Sequence, residues 1–396
     1  MTELHQYRNR FDSLNDCHYL ISNSLGAMPN EAREAALRYA GLWGSRGVRA
    51  WEDEWWLLGR TVGDKLGSLL NAEPDTVAMQ ANVTSAEAAI LSCFDFHGKR
   101  NKVVMVDMEF PSIKYLYDNW VKSHSGRIEM IACPDGVTVP TEQLLEAIDE
   151  QTLLVPISHV LFRSSYIVDA KAIIEKAHKV GATVVLDVYQ SLGVTPVDVQ
   201  ALEVDFAVGG CLKWLCGGPG ASFLYVRPDL LKDIKPVFTG WLAHQQPFAF
   251  EPPPIDYTEG SYRFMTGTPA IPAMYTCQPG LDIVREIGVE RIRERSKVMS
   301  ARLLALAAER EWPTTTPKSA DERAGTVAID LESGLAIATE LNRRDFLVDW
   351  RPKAGIRLSP HFYTTDVEIE ETIAEIETIV RERAYEKHLD KRRVVT

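Results

Sequence analysis

An aspartate and a lysine stand at the ends of two successive apolar runs. Asp187 sits in TVVLDV (183–188), and Lys213 lies just past DFAVGG (205–210), within GGCLKWLCGGPG (209–220). At the ends of neighbouring strands, a carboxylate and an amine can face one small ligand. The cofactor that needs both is pyridoxal phosphate (PLP). Its aldehyde needs an amine, its ring nitrogen needs an acid partner to stay protonated, and the protonated ring is an electron sink for a substrate carbanion. Gly217, Gly218 and Gly220 let the backbone turn tightly beside the lysine. These glycines follow the lysine and no GK[ST] is present, so the run is not a Walker loop; no GxGxxG follows the first strand, which counts against a nicotinamide dehydrogenase. Alone, the aspartate reads as structural and the lysine as a solvated charge; it is the pair that points to chemistry.

A phosphate site is also available. In QANVTSAEAAILSCF (80–94), Thr84 and Ser85 precede a helical run. Free N–H groups and the dipole at a helix start suit a phosphate dianion. The plainer reading is that Thr84 or Ser85 caps the helix.

The elements that must position these residues follow from the pattern. VVMVDM (103–108), IEMIAC (128–133), LLVPISHV (153–160), TVVLDV, DFAVGG and SFLYVR (222–227) read as strands, and DAKAIIEKAHKVG (169–181) as an intervening helix with a closing glycine. Wholly apolar strands separated by helices imply a mainly parallel sheet covered on both faces. The proline-rich stretch 236–260 reads as an extended excursion, and the tryptophan-rich 43–56 as a loop. A long helical pattern begins after residue 278. A strand (TVAIDL, 326–331), a helix, a second strand region (FLVDWRPKAGIRLS, 346–359) and a final helix from Asp366 then form a smaller α+β unit. The expected division is an N-terminal segment (1–45) joining the small domain, a large cofactor domain (46–275) and a small C-terminal domain (276–396). The last residues, EKHLDKRRVVT, are expected to fray.

Composition excludes several classes. With 43 Lys plus Arg against 55 Asp plus Glu, the net charge is −12, which argues against nucleic-acid binding through bulk charge. No stretch reaches the ~18 apolar residues of a membrane span. The N-terminus is polar and lacks a signal peptide's apolar stretch, so a cytoplasmic location is expected. The six cysteines form no CxxC pair and the histidines no HExxH, so no metal site is expected.

Segments along the whole chain carry a family resemblance. They are YLISNSLGAMP (19–29), NVTS (82–85), MEFPS (108–112), ISHVLFRSS (157–165), LDVYQSLGVTPVDV (186–199), VDFAVGGCLKWLCGGPG (204–220), FTGWLAH (238–244), YRFMTGTP (262–269) and GIRLSPHFYTT (355–365). Together they resemble the kynureninases, within the fold-type I, class V aminotransferase superfamily of PLP enzymes. The resemblance implies a large α/β domain with a mostly parallel, seven-stranded sheet, a small C-terminal α+β domain, and a homodimer with shared active sites. It implies that Lys213 holds the cofactor's aldehyde and then serves as base at the substrate's Cα. Asp187 would pair with the pyridine nitrogen, Gln190 donate to the phenolate oxygen, and Phe110 stack on the ring. Thr84, Ser85 and Ser158 would bind the cofactor, with Trp241 and Thr268 reaching its phosphate from the partner subunit. Arg357 would grip the substrate's α-carboxylate, with Asn23 beside the substrate.

Four positions depart from that family. Leu212 replaces the Tyr that often precedes the lysine, Ile113 an Asp, Cys216 an Asn, and Gln190 a His. The implied activity is therefore a kynureninase-like hydrolase or lyase, cleaving at the β or γ carbon of an L-amino acid other than kynurenine. The alternatives are an aminotransferase, epimerase or elimination enzyme on the same scaffold, or a PLP-fold binding or regulatory protein. Cysteine desulfurase fits less well, because no cysteine follows Cys277 and Leu212 stands where that family has His.

Overall fold

A computed structural model describes residues 3–389. In chain order the first half comprises β1 (His18–Tyr19), α1 (Glu31–Arg46), α2 (Trp56–Leu69), β2 (Val77–Gln80), α3 (Val83–Leu91), β3 (Lys102–Val106), α4 (Pro111–Ser123), β4 (Arg127–Ile131), α5 (Thr141–Ala147), β5 (Thr152–Ser158), α6 (Ala170–Val180) and β6 (Thr183–Asp187). There follow α7 (Val199–Leu202), β7 (Phe206–Gly210), β8 (Ser222–Val226), α8 (Ile271–Ile287), α9 (Val289–Ala308), β9 (Val327–Ile329), α10 (Gly334–Arg343), β10 (Phe346–Leu347), β11 (Asp349–Arg351), β12 (Gly355–Leu358) and α11 (Asp366–Arg381).

Seven strands form one sheet in the order β2-β8-β7-β6-β5-β3-β4. The pairs from β4 to β7 are parallel, while β8 runs antiparallel to both β7 and β2. Alternation of side chains divides the core. Val104, Val106, Val155 and Leu186 face one apolar layer with Ile173 and Leu281; Val103, Met105, Leu154 and Val185 face another with Ile90 and Tyr117. Each such buried aliphatic side chain contributes roughly 1.5–3 kcal/mol. A third core holds Met299, Leu303, Val327, Ile356 and Ile373 around the three-stranded sheet β11-β12-β9. The α/β architecture with a mostly parallel central sheet is the one expected from the sequence.

The N-terminal segment reaches the C-terminal unit, since β1 pairs with β10 and Ile21 bridges to Ser359. It also packs α1 along α8. A division at 45/46 falls in the last turn of α1, and one at 275/276 falls inside α8, whose apolar face belongs to the sheet's core.

Three local expectations are corrected. β2 was not read from the sequence, because VAMQ is four residues long and runs into the NVTS turn. The long helical pattern is two helices, starting at Ile271 and divided at Gly288, whose φ of +86° ends one and starts the next. Residues 43–56 are helical, not a loop: α1 runs into a 3-10 turn (Gly47–Arg49) and a π turn (Trp51–Trp55), stapled by Trp55 Nε1 donating to the Tyr275 hydroxyl at 3.2 Å. At the C-terminus Glu386–His388 form a 3-10 turn with His388 on Glu340 at 2.8 Å, whereas residues 390–396 of the stretch expected to fray lie outside the described residues. Among the described residues no helix is long and apolar enough to cross a membrane.

Candidate active site

The carboxyl ends of β5 and β6, the turn after β7 and the first turns of α3 and α4 enclose a cavity of about 210 Å³. Thr84, Phe110, Ser158, Asp187, Gln190 and Lys213 all line it. The sheet order makes this possible: β6 lies beside both β5 and β7, so their C-terminal residues share one crevice.

Asp187 closes β6, and its Oδ1 accepts the Tyr189 N–H at 2.8 Å. Burial raises its carboxyl above the usual range, opposed by that hydrogen bond and by Lys213. The Lys213 ammonium lies 4.3 Å from the centre of the Tyr189 ring and 5.8 Å from that of Phe110. Burial pushes it down to about 8, with Asp187 pulling the other way.

These residues fit PLP. Asp187 has no ion-pair partner within bonding distance among the described residues, which leaves its carboxylate for a ring N–H⁺. At α3 the cap is Asn82, not Thr84 or Ser85: Asn82 Oδ1 takes the Ser85 N–H at 2.9 Å, and the Ser85 hydroxyl returns to the Asn82 carbonyl at 2.7 Å. Ser85 is thereby engaged within the capping box and is not among the residues lining the cavity. The first-turn N–H groups of Val83 and Thr84 have no intrahelical acceptor, and both residues line the cavity, so an anion fits there.

Phe110, at the start of α4, is 44% exposed and packs edge-on against Phe162 at 5.3 Å. Ser158 gives both its N–H, at 3.0 Å, and its hydroxyl to Glu109. Glu109 was not singled out in the sequence, although it sits in MEFPS beside Phe110; burial pushes its carboxyl up to about 7. Behind it Glu87 accepts from the Tyr117 hydroxyl at 2.6 Å, and burial pushes Glu87 up to about 8.

The Gln190 amide donates to the Asn23 carbonyl at 3.0 Å and accepts from Trp214 Nε1 at 3.1 Å, leaving one N–H for the cavity. The Asn23 side chain is buried, and neither of its amide atoms has a partner within the described chain. Arg357, on β12, is buried and does not itself line the cavity. It donates to Asp349 through Nε at 2.7 Å and through Nη2, and to the Phe162 carbonyl through Nη1 at 2.5 Å. Two of its five N–H groups remain, and its charge opposes that of Lys213. Asp349 carried no signal in the sequence. Trp241 and Thr268 lie elsewhere in this chain. Trp241 packs on Phe248 at 5.6 Å, and Thr268 lines a separate cavity of about 180 Å³ with Gln80 and Gly220.

The lysine turn is tied to distant segments. Gly26 N donates to the Leu212 carbonyl at 2.9 Å, and a Cβ at Gly26 would stand 2.1 Å from the Lys213 carbonyl, so only glycine fits. His361, kept neutral by burial, donates from Nε2 to the Trp214 carbonyl at 2.8 Å. Among the described residues no cluster of His, Cys, Asp or Glu is placed to hold a metal.

The pattern that defines the aminotransferase class-V family matches residues 31–348. The chain belongs to that family. It is accordingly a PLP-dependent enzyme. An uncharacterized aminotransferase of Bacillus subtilis, YcbU, is 32% identical across 94% of this chain and 96% of its own length. The kynureninase of Burkholderia mallei is 28% identical across 93% of this chain and 90% of its own. Among solved structures, a lysine variant of C-DES with glycine covalently linked to its PLP cofactor superposes with a TM-score of 0.86, at 23% identity, over 93% of this chain and 98% of that one.

Proposed function

We propose that the protein cleaves a bond at the β or γ carbon of an L-amino acid other than kynurenine, as a kynureninase-like hydrolase or lyase. The observation that carries the reading is the pairing of Lys213 with Asp187 across one cavity whose further walls are Phe110 and the first turn of α3. PLP, when bound, supplies an aldehyde for the substrate's amino group and a ring that takes up negative charge from it. Asp187 keeps the ring nitrogen protonated. Phe110 covers the ring, and the N–H groups of Val83 and Thr84 hold the phosphate. Lys213 has an amine near neutrality once buried, which suits it to carry a proton to and from the substrate's Cα. Arg357 offers its two remaining N–H groups to the α-carboxylate, and the unpartnered amide of Asn23 lies one residue contact away through Gln190.

A homodimer completes the site. The exposed apolar group Val237, Phe238, Trp241, Phe248 and Phe250 is large for a lone subunit and supports an interface there, with the partner's Trp241 and the partner's Thr268 reaching the phosphate. The Bacillus relative named as an aminotransferase favours transamination as the second reading. Incubating the PLP-loaded protein with single amino acids separates the two. Release of a side-chain fragment supports cleavage. Conversion to the 2-oxo acid, with loss of the cofactor's visible band until a 2-oxo acid is added, supports transamination instead.

A further inference from the structure

Three elements beside the Lys213 cavity carry cations, although none of these cations is itself among the residues lining it. The loop after β5 carries Arg163, next to the cavity-lining Phe162. The first turn of α4 carries Lys114, next to the cavity-lining Ile113, and the β11–β12 hairpin carries Arg351 and Lys353. Lys114 and Arg163 are close enough to repel. Lys114, which donates to the Asp107 carbonyl at 2.7 Å, is held below the usual lysine range by burial first and then by Arg163, against the opposing pull of Asp107 and Glu109, with Lys353 adding a little.

The neighbouring carboxylates have partners of their own, although Asp107 and Glu109 still partly offset the charge at Lys114. Asp107 Oδ1 accepts from the Cys133 N–H at 3.1 Å, Glu109 faces Ser158, and Asp349 is held by Arg357 and, at 3.3 Å, by Arg351. Arg163 is half-buried, its guanidinium 5.3 Å over the centre of the Phe162 ring, with no ion pair or hydrogen bond among the described residues. The carbonyl of the same Phe162 holds Arg357. Two arginines are therefore anchored on one cavity-wall residue, and only one is needed for an α-carboxylate.

We propose that Arg163 is a specificity-determining residue for a second anionic group, so that the substrate is an amino acid whose side chain ends in a carboxylate, sulfinate or related oxyanion. This rests on the amino-acid reading of the same cavity. A guanidinium stacked on an aromatic ring and short of a counter-ion is preorganised for a planar oxyanion. A substrate anion on Arg163 relieves its repulsion with Lys114, which a neutral side chain does not.

The test titrates the PLP-loaded protein with isosteric pairs, L-aspartate against L-asparagine and L-glutamate against L-glutamine, together with L-cysteine sulfinate, following the cofactor's visible absorption. The acids should half-saturate at concentrations about tenfold or more below those of the amides. Arg163→Gln should erase that preference while retaining the cofactor's band, and Arg163→Lys should restore part of it. Equal response to acid and amide in the wild type, or an undiminished preference in Arg163→Gln, overturns the inference and leaves the amino-acid reading standing. A protein whose band no amino acid perturbs overturns both.

Discussion

Arg357 and Asp349 face each other across the register of β12 and β11, the arginine's Nε lying 2.7 Å from Oδ1 while Nη2 meets Oδ2. Both are buried, so the aspartate aims the guanidinium as well as neutralising it. Arg357→Leu should raise the apparent KM for any amino acid far more than it weakens PLP binding; loss of a buried charge-assisted contact costs roughly 2–5 kcal/mol. It should also lower stability, because among the described residues Asp349 is then left with Arg351 at 3.3 Å. Steady-state kinetics and urea melts check both. Loss of cofactor at unchanged substrate affinity would make Arg357 a phosphate ligand.

Lys213→Ala should abolish the visible band of bound cofactor and turnover together. Among the described residues lining the cavity no other amine is present. Absorption spectra and an activity assay of the purified variant decide it, and a variant that keeps both disproves the assignment.

Asp187→Asn should fold, bind PLP weakly and react slowly. The amide accepts the Tyr189 N–H as the carboxylate does, but it does not hold a ring nitrogen protonated. Full turnover at saturating PLP would remove Asp187 from its role.

Glu87 gives a pH prediction. Its carboxyl rises from the usual 4.5 to about 8 on burial, so the folded protein holds a proton that the unfolded chain releases. The stability this contributes is fully present below 4.5 and is lost as pH rises through about 8. Glu87→Gln, which keeps the acceptor for Tyr117 and does not ionise, should lose less thermal stability than wild type between about pH 5 and pH 9. Parallel melting curves for the two proteins would refute this.

L-Kynurenine and 3-hydroxykynurenine should be poor substrates. Their cleavage needs hydration of a ketone and protonation of the departing carbon, steps to which positioned acid–base groups each contribute about 10²–10⁴-fold. Leu212 and Ile113 line the cavity where the family carries Tyr and Asp, and most of the Gln190 amide is taken up by Asn23 and Trp214. Anthranilate and alanine assays test it, and turnover of several per second would show that another group serves.

That Asp187 and Lys213 meet at one cavity was legible in the sequence because it depends on strand ends. Asp187 and Lys213 each follow a strongly apolar run, and a parallel sheet leaves little choice about where they meet. Glu109, Glu87 and Asp349 were not legible. Each acts through a partner far along the chain, on Ser158, Tyr117 and Arg357, and charge patterning along one segment does not report such contacts. Residues 43–56 were misread for a related reason. Glycines and tryptophans there suggested a loop, while packing of Trp55 against Tyr275 on α8 selects helix.

Gly26 and His361 clasp the carbonyls on either side of Lys213 from the two extremities of the chain. The lysine's backbone is therefore fixed before any ligand arrives, and little conformational entropy remains to be lost when the cofactor docks. The same clasp makes the lysine turn depend on long-range closure, since one tie waits for the first thirty residues and the other for the last forty. A nascent chain that ends before His361 has the sheet, the lysine and the Gly26 tie but not the second one, so the fully held turn arrives late in folding, as a property of the nearly finished molecule.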